Sequence, residues 1–142
     1  MTESEFTKLF ITGLIEELSP NFTVLKHSDR FTSGIPDISV SDGTGTTLWI
    51  EVKNLEEGAR FHQPRKYVDK KLQLHTCKNL GGFYLVNDPH HGGVLMISAD
   101  ELETWLKSVP LPTVPAYGVV SLRPDRLSKV VEFIKEWFVT RV

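Results

Sequence analysis

Apolar residues along this 142-residue chain change their period several times, and the changes mark out elements. Phe6, Leu9, Phe10, Gly13, Leu14 and Leu18 recur at helical spacing, so a helix is predicted over residues 3–18, stopped by Pro20. Residues 22–26 (Phe-Thr-Val-Leu-Lys) read as a strand, followed by a turn or loop at His27-Ser28-Asp29-Arg30. Ile35–Val40 is a second strand with a proline near its start, a position that suits a strand edge. Ser41-Asp42-Gly43-Thr44-Gly45 carries turn chemistry and connects it, hairpin-like, to a third strand over Thr46–Val52.

The stretch 54–62 is polar and aperiodic. Gln63-Pro64 then opens a helix predicted to run to about Leu80, where Gly81-Gly82 ends it. Strands are expected at Phe83–Val86 and Val94–Ile97. Ser98-Ala99-Asp100-Glu101 matches a capping box for a short helix through Leu106. Pro110, Pro112 and Pro115 make a stiff connector to a last strand at Tyr117–Leu122. A final amphipathic helix over 124–139 carries Leu127, Val130, Val131, Ile134, Trp137 and Phe138 on one stripe. The order α-β-β-β-α-β-β-α plus an appended β-α predicts an α/β fold with a mixed sheet flanked by helices. Residues 1–108 are expected to form the core of a single domain, already complete by Leu106. Residues 109–142 then add a connector, strand and helix that pack on the core or form a dimer interface.

Composition refines this picture little. An apolar fraction of 40% supports a core, and 24% charged residues is ordinary for a soluble protein. One cysteine, Cys77, leaves no internal disulfide framework. The acidic start Met1-Thr2-Glu3-Ser4-Glu5 is unlike a secretory signal, and no apolar run approaches the roughly 20 residues of a membrane span. The expected location is cytoplasmic, with a phage or mobile-element origin fitting the small size. The net charge of −2 does not advertise a nucleic-acid binder, but its distribution is uneven. Between Gly58 and Lys78 six cations (Arg60, Arg65, Lys66, Lys70, Lys71, Lys78) face one acid, Asp69.

The chemistry concentrates in two short stretches, Ser33-Gly34-Ile35-Pro36-Asp37 and Leu48-Trp49-Ile50-Glu51-Val52-Lys53. On a strand Glu51 and Lys53 project to one face while Ile50 and Val52 face the other way. A charged pair in so apolar a segment needs a partner, because burying unpaired charge is costly. A hairpin would set Asp37 beside Glu51, so that both carboxylates reach one hard cation, with the Val52 carbonyl as a further ligand. Mg²⁺ suits such oxygen donors, and Mn²⁺ is expected to substitute. Lys53, alongside, would orient an attacking water or stabilise the transition state of phosphodiester cleavage. His90-His91 reads as a polar turn, and Cys77 as a structural thiol.

Gly34-Ile35-Pro36-Asp37 followed by Trp49-Ile50-Glu51-Val52-Lys53 resembles the PD-(D/E)xK nuclease superfamily. Ser33-Gly34-Ile35-Pro36-Asp37-Ile38, the preceding acidic helix and the later Gly81-Gly82-Phe83 strand are similar to archaeal Holliday-junction resolvases and to VRR-NUC domains. The resemblance covers roughly residues 3–106. It implies a restriction-endonuclease-like core, Mg²⁺ dependence, cleavage of DNA to 5′-phosphate and 3′-hydroxyl ends, and homodimers. It also implies a glutamate on the first helix that completes the metal site. Glu3, on the stripe of Phe6, Phe10 and Gly13, is preferred over Glu5. Ser33 matches a serine whose hydroxyl contacts the substrate backbone. Gln73, or Gln63, matches a glutamine on the helix after the lysine. Arg65, Lys66 and Lys70 are candidate phosphate contacts. No helix-turn-helix or zinc finger is visible, which favours branched or structured DNA over sequence recognition. The alternatives are a site-specific restriction-type endonuclease and a non-catalytic nucleic-acid-binding module on the same fold.

Overall fold

The computed structural model describes residues 3–27, 34–54, 71–88, 93–106, 119–122 and 126–140. Ten elements follow in chain order: α1 (Glu3–Leu18), β1 (Thr23–Lys26), β2 (Ile38–Ser41), β3 (Thr47–Asn54), α2 (Lys71–Asn79), β4 (Phe83–Asp88), β5 (Gly93–Ser98), α3 (Ala99–Leu106), β6 (Val119–Leu122) and α4 (Arg126–Val139). The type and order of every one match the sequence expectation.

The strands form one six-stranded sheet in the order β1-β2-β3-β4-β5-β6. Only β3 and β4 run parallel, with Ile50 opposite Phe83 and Val52 opposite Leu85. The other neighbours are antiparallel. A parallel pair needs a crossover, and α2 lies within it.

Alternation along the strands divides the side chains between two helical layers. On one face Ile38, Val40, Leu48, Ile50, Val52, Leu85, Val94 and Met96 join Phe6, Phe10, Leu14 and Leu18 of α1 and Val130, Val131, Ile134 and Phe138 of α4. On the other face Tyr84, Val86, Leu95 and Ile97 pack under Leu74 and Cys77 of α2 and Ala99 and Leu102 of α3. The apolar stripe of α4 is thus part of the main core, and the core is not closed by Leu106.

Boundaries differ from expectation for local reasons. Strand β2 starts at Ile38 rather than Ile35, because Pro36 has no N–H and the Asp37 N–H turns to the Glu51 carboxyl instead of a ladder. Strand β3 runs on to Asn54, since β4 keeps pairing with it to Asn87. The described part of α2 begins at Lys71, so the expected opening at Gln63-Pro64 lies outside the described residues. Its end is as expected. Gly81, at φ 65°, turns the chain, while the Gly81 and Gly82 N–H groups bond the Lys78 and Cys77 carbonyls at 3.0 and 2.8 Å. The Ser98 hydroxyl caps α3 by accepting the Glu101 N–H at 3.2 Å.

Candidate active site

The site lies where β2 begins and β3 continues past it. The hairpin register pairs Ile38 with Ile50, so Asp37 comes opposite Glu51, one pair further along. Two hydrogen bonds fix this corner. The Asp37 N–H donates to Glu51 Oε1 at 3.2 Å, and the Val52 N–H donates to Asp37 Oδ2 at 2.9 Å. A strand residue presents its N–H and C=O to the same side, so the Val52 carbonyl shares the edge that Asp37 occupies.

Glu51 and Lys53 point to the α2 face and are buried, at 2% and 5% exposure. Lys53 Nζ lies 3.4 Å from Glu51 Oε2 and donates to Gln73 Oε1 at 2.9 Å. A carboxyl group and an amide oxygen therefore partner a side chain that would otherwise be costly to bury. Burial, reinforced by a hydrogen bond and charge repulsion from Asp37, raises Glu51 to about 8, while Lys53 pulls the other way. At neutral pH Glu51 therefore favours its protonated form beside Asp37.

This donor set fits a divalent cation. Two acidic side chains and a backbone carbonyl could supply oxygen ligands, and a cation there would offset the repulsion between the two carboxylates. Among the described residues no group of three or more His, Cys, Asp or Glu gathers to bind a metal.

Helix α2 organises the corner from above. Besides giving Gln73 to Lys53, it seats the turn before Pro36. A Cβ on Gly34, where φ is +91°, would meet Thr76 Oγ1 at 3.0 Å and the Leu72 carbonyl at 3.3 Å. Cys77 is buried beside the site, and burial together with the two carboxylates pushes its thiol up to about 12. It remains a neutral packing residue.

The structure brings Asp37, Glu51, Val52, Lys53 and Gln73 together. Glu3 is the first residue of α1, and its side chain lies outside the described residues. Its position continues the inward stripe of Phe6 and Phe10, whereas Glu5 is exposed, on the side of Leu9, Thr12 and Glu16. Ser33, Gln63, Arg65, Lys66 and Lys70 lie outside the described residues, as do His90 and His91.

Sequence reasoning missed a second cluster on the same face. His27 Nε2 meets Ser39 Oγ at 2.7 Å, and the His27 and Trp49 rings lie 5.1 Å apart at 40°. Reading His27 as a loop residue hid this. The signal was present: Leu25 and His27 alternate with buried Val24, so a short extension of β1 sets His27 on the face of Asp37.

No family model matches the chain, and no curated protein matches it. Among solved structures it is similar to Archaeoglobus fulgidus Hjc, a Holliday junction resolvase from an archaeal hyperthermophile. The two are 20% identical, with a TM-score of 0.44, over 68% of this chain and 75% of that one. No described helix is long and apolar enough to cross a membrane.

Proposed function

We infer that this protein is a Mg²⁺-dependent endodeoxyribonuclease that hydrolyses DNA phosphodiesters and selects branched DNA. The observation that carries the reading is the Asp37–Glu51 carboxyl pair with Lys53 3.4 Å from Glu51. A buried Glu51 set against a second carboxyl group costs stability rather than adding it to the sheet. Natural cores seldom retain such a group without a use for it.

Asp37, Glu51 and the Val52 carbonyl are the groups that would hold the metal, and Glu3 is the candidate to complete the set. When bound, Mg²⁺ neutralises phosphate charge and makes a water easier to deprotonate. The chain's own contributions are positional. The Val52 N–H fixes one Asp37 oxygen, leaving the other for ligation. Gln73 restrains the Lys53 ammonium from behind. The ammonium then faces the side where the carboxylates converge, placed to orient a nucleophile and to stabilise charge developing on a phosphate oxygen. Lys53 has three donors, so one bond to Gln73 leaves others for substrate. The products are 5′-phosphate and 3′-hydroxyl ends.

Branched DNA is favoured by the Ser33-Gly34-Ile35-Pro36-Asp37-Ile38 stretch. A homodimer would set two such sites on opposing strands. The α4 stripe is taken up by the core, so a two-fold contact would have to use another surface.

The test is incubation of the protein with a synthetic four-way junction, a matched duplex, a flap and a single strand, each with Mg²⁺ or EDTA. Mg²⁺-dependent cutting, fastest on the junction and lost in Asp37→Asn, is the expected result. Discrete fragments from unbranched linear plasmid would refute the junction preference. Binding without cutting in all four would leave a non-catalytic module.

A further inference from the structure

The antiparallel ladder carries the carboxylate row one strand further than the acids themselves. The His27 N–H donates to the Asp37 carbonyl at 2.7 Å, continuing the β1–β2 pairing one step beyond Lys26 and Ile38. His27 just past β1, Asp37 just before β2 and Glu51 on β3 therefore stand side by side, all on the α2 face of the sheet. Neighbouring strands are about 4.8 Å apart, so this row spans roughly 10 Å.

The imidazole is not loose. Its Nε2 is bonded to Ser39 Oγ at 2.7 Å, and its ring packs against Trp49 at 5.1 Å. His27 and Trp49 meet this closely across β2 because the β2 residue opposite Trp49 is a small serine, roofed over to 3% exposure. The other ring nitrogen, Nδ1, has no partner among the described residues. The Ser39 hydroxyl can donate to Nε2 and leave the proton on Nδ1. A rigid ring with one nitrogen open, half-buried and one strand from the acid pair, is built to hold an anionic oxygen.

We propose that His27 is a substrate-binding residue. Its imidazole, held by Ser39 and Trp49, hydrogen-bonds a phosphate oxygen of the nucleic-acid strand next to the phosphodiester that is cut. This rests on the nuclease reading above. It gives that site a second anchor on the β1 side, opposite the Lys53–Gln73 side, so that the strand is gripped at two points across the sheet.

Steady-state cleavage separates the anchor from mere packing. The substrate is the fastest-cut of the four DNAs named above, with Mg²⁺. His27→Phe keeps a ring on Trp49 but removes both nitrogens. It is expected to raise KM about tenfold, the effect of losing one hydrogen bond to a charged group, while thermal unfolding stays close to that of the unaltered protein. His27→Asn, whose amide nitrogen falls near the Nδ1 position, is expected to recover most of the loss. Ser39→Ala, which frees the ring, should raise KM roughly threefold. Binding of the same DNA in EDTA should weaken in the same order. A His27→Phe protein that keeps the unaltered KM overturns the proposal and leaves the nuclease reading standing. So does His27→Asn behaving no better than His27→Phe. Failure of the unaltered protein to cut any of the four DNAs overturns both.

Discussion

At the scale of single residues, the chemistry depends on groups that are costly to keep. Glu51 is 2% exposed and raised to about 8 by burial and by Asp37. In the unfolded chain its carboxyl would ionise at the ordinary value, near 4.5. Between those values the folded protein retains a proton that the unfolded chain has released. Metal-free stability should therefore fall as pH rises from about 4.5 to about 8, and level off above. Urea unfolding in EDTA at pH 5 and pH 8 measures the drop. Glu51→Gln, which cannot ionise, should flatten most of it, while Mg²⁺ should offset it at pH 8 in the unaltered protein alone. Asp37→Asn should lower cleavage about a thousandfold or more, since several kcal/mol of charge stabilisation are lost. Gln73→Leu removes only the restraint on Lys53, so a loss of about 10- to 100-fold is expected, read as single-turnover rate on the junction.

Elements meet in this fold through a few close approaches. Gly13 on α1 faces Leu127 on α4, and a Cβ there would collide with one Leu127 methyl group and crowd the other. Gly13→Ala gains about 1 kcal/mol of helix propensity but overpacks this crossing, at a cost of about 1–3 kcal/mol. The net result should be destabilising. In a Leu127→Ala background the same change should become stabilising by about 1 kcal/mol. A double-mutant cycle by urea denaturation detects the change of sign. Gly82 plays a similar part between α2 and the sheet, where a Cβ would lie 2.7 Å from Cys77 Sγ and 3.0 Å from the Trp49 carbonyl. That approach brings Gln73 down onto Lys53. By contrast, the Lys78 ammonium, 2.9 Å from Glu103 and 3.7 Å from Asp100, joins α2 to α3 at a partly exposed surface, where solvent screening leaves it little effect on stability.

For the molecule as a whole, the question is how much chain the core requires. Val130, Val131, Ile134 and Phe138 sit in the same buried cluster as Phe6, Ile50 and Val52. Burying four large apolar side chains is worth together about 6–12 kcal/mol, comparable to the entire stability of an ordinary domain. A chain ended after Leu106 should therefore lose cooperative unfolding and near-ultraviolet circular dichroism. The sequence reading placed closure of the core at that point. Phe83 to Ser98 do complete the α2–α3 side there, but the α1 face stays open until α4 covers it.

Periodicity and turn residues alone determined the ten elements and their order. The alternation of Ile50 and Val52 with Glu51 and Lys53 assigned the charged pair to one face, because side-chain direction along a strand is a local property. The convergence of Asp37 on Glu51 was also legible, since a short hairpin leaves little choice of register. Tertiary structure decided the rest. It seated Gln73, 20 residues from Lys53, on that ammonium through the packing of α2. It drew the α4 stripe into the core and aligned His27 with the carboxylates through β1–β2 pairing. Each of these depends on which surfaces meet across distant parts of the chain, and pattern along a sequence records that only in part.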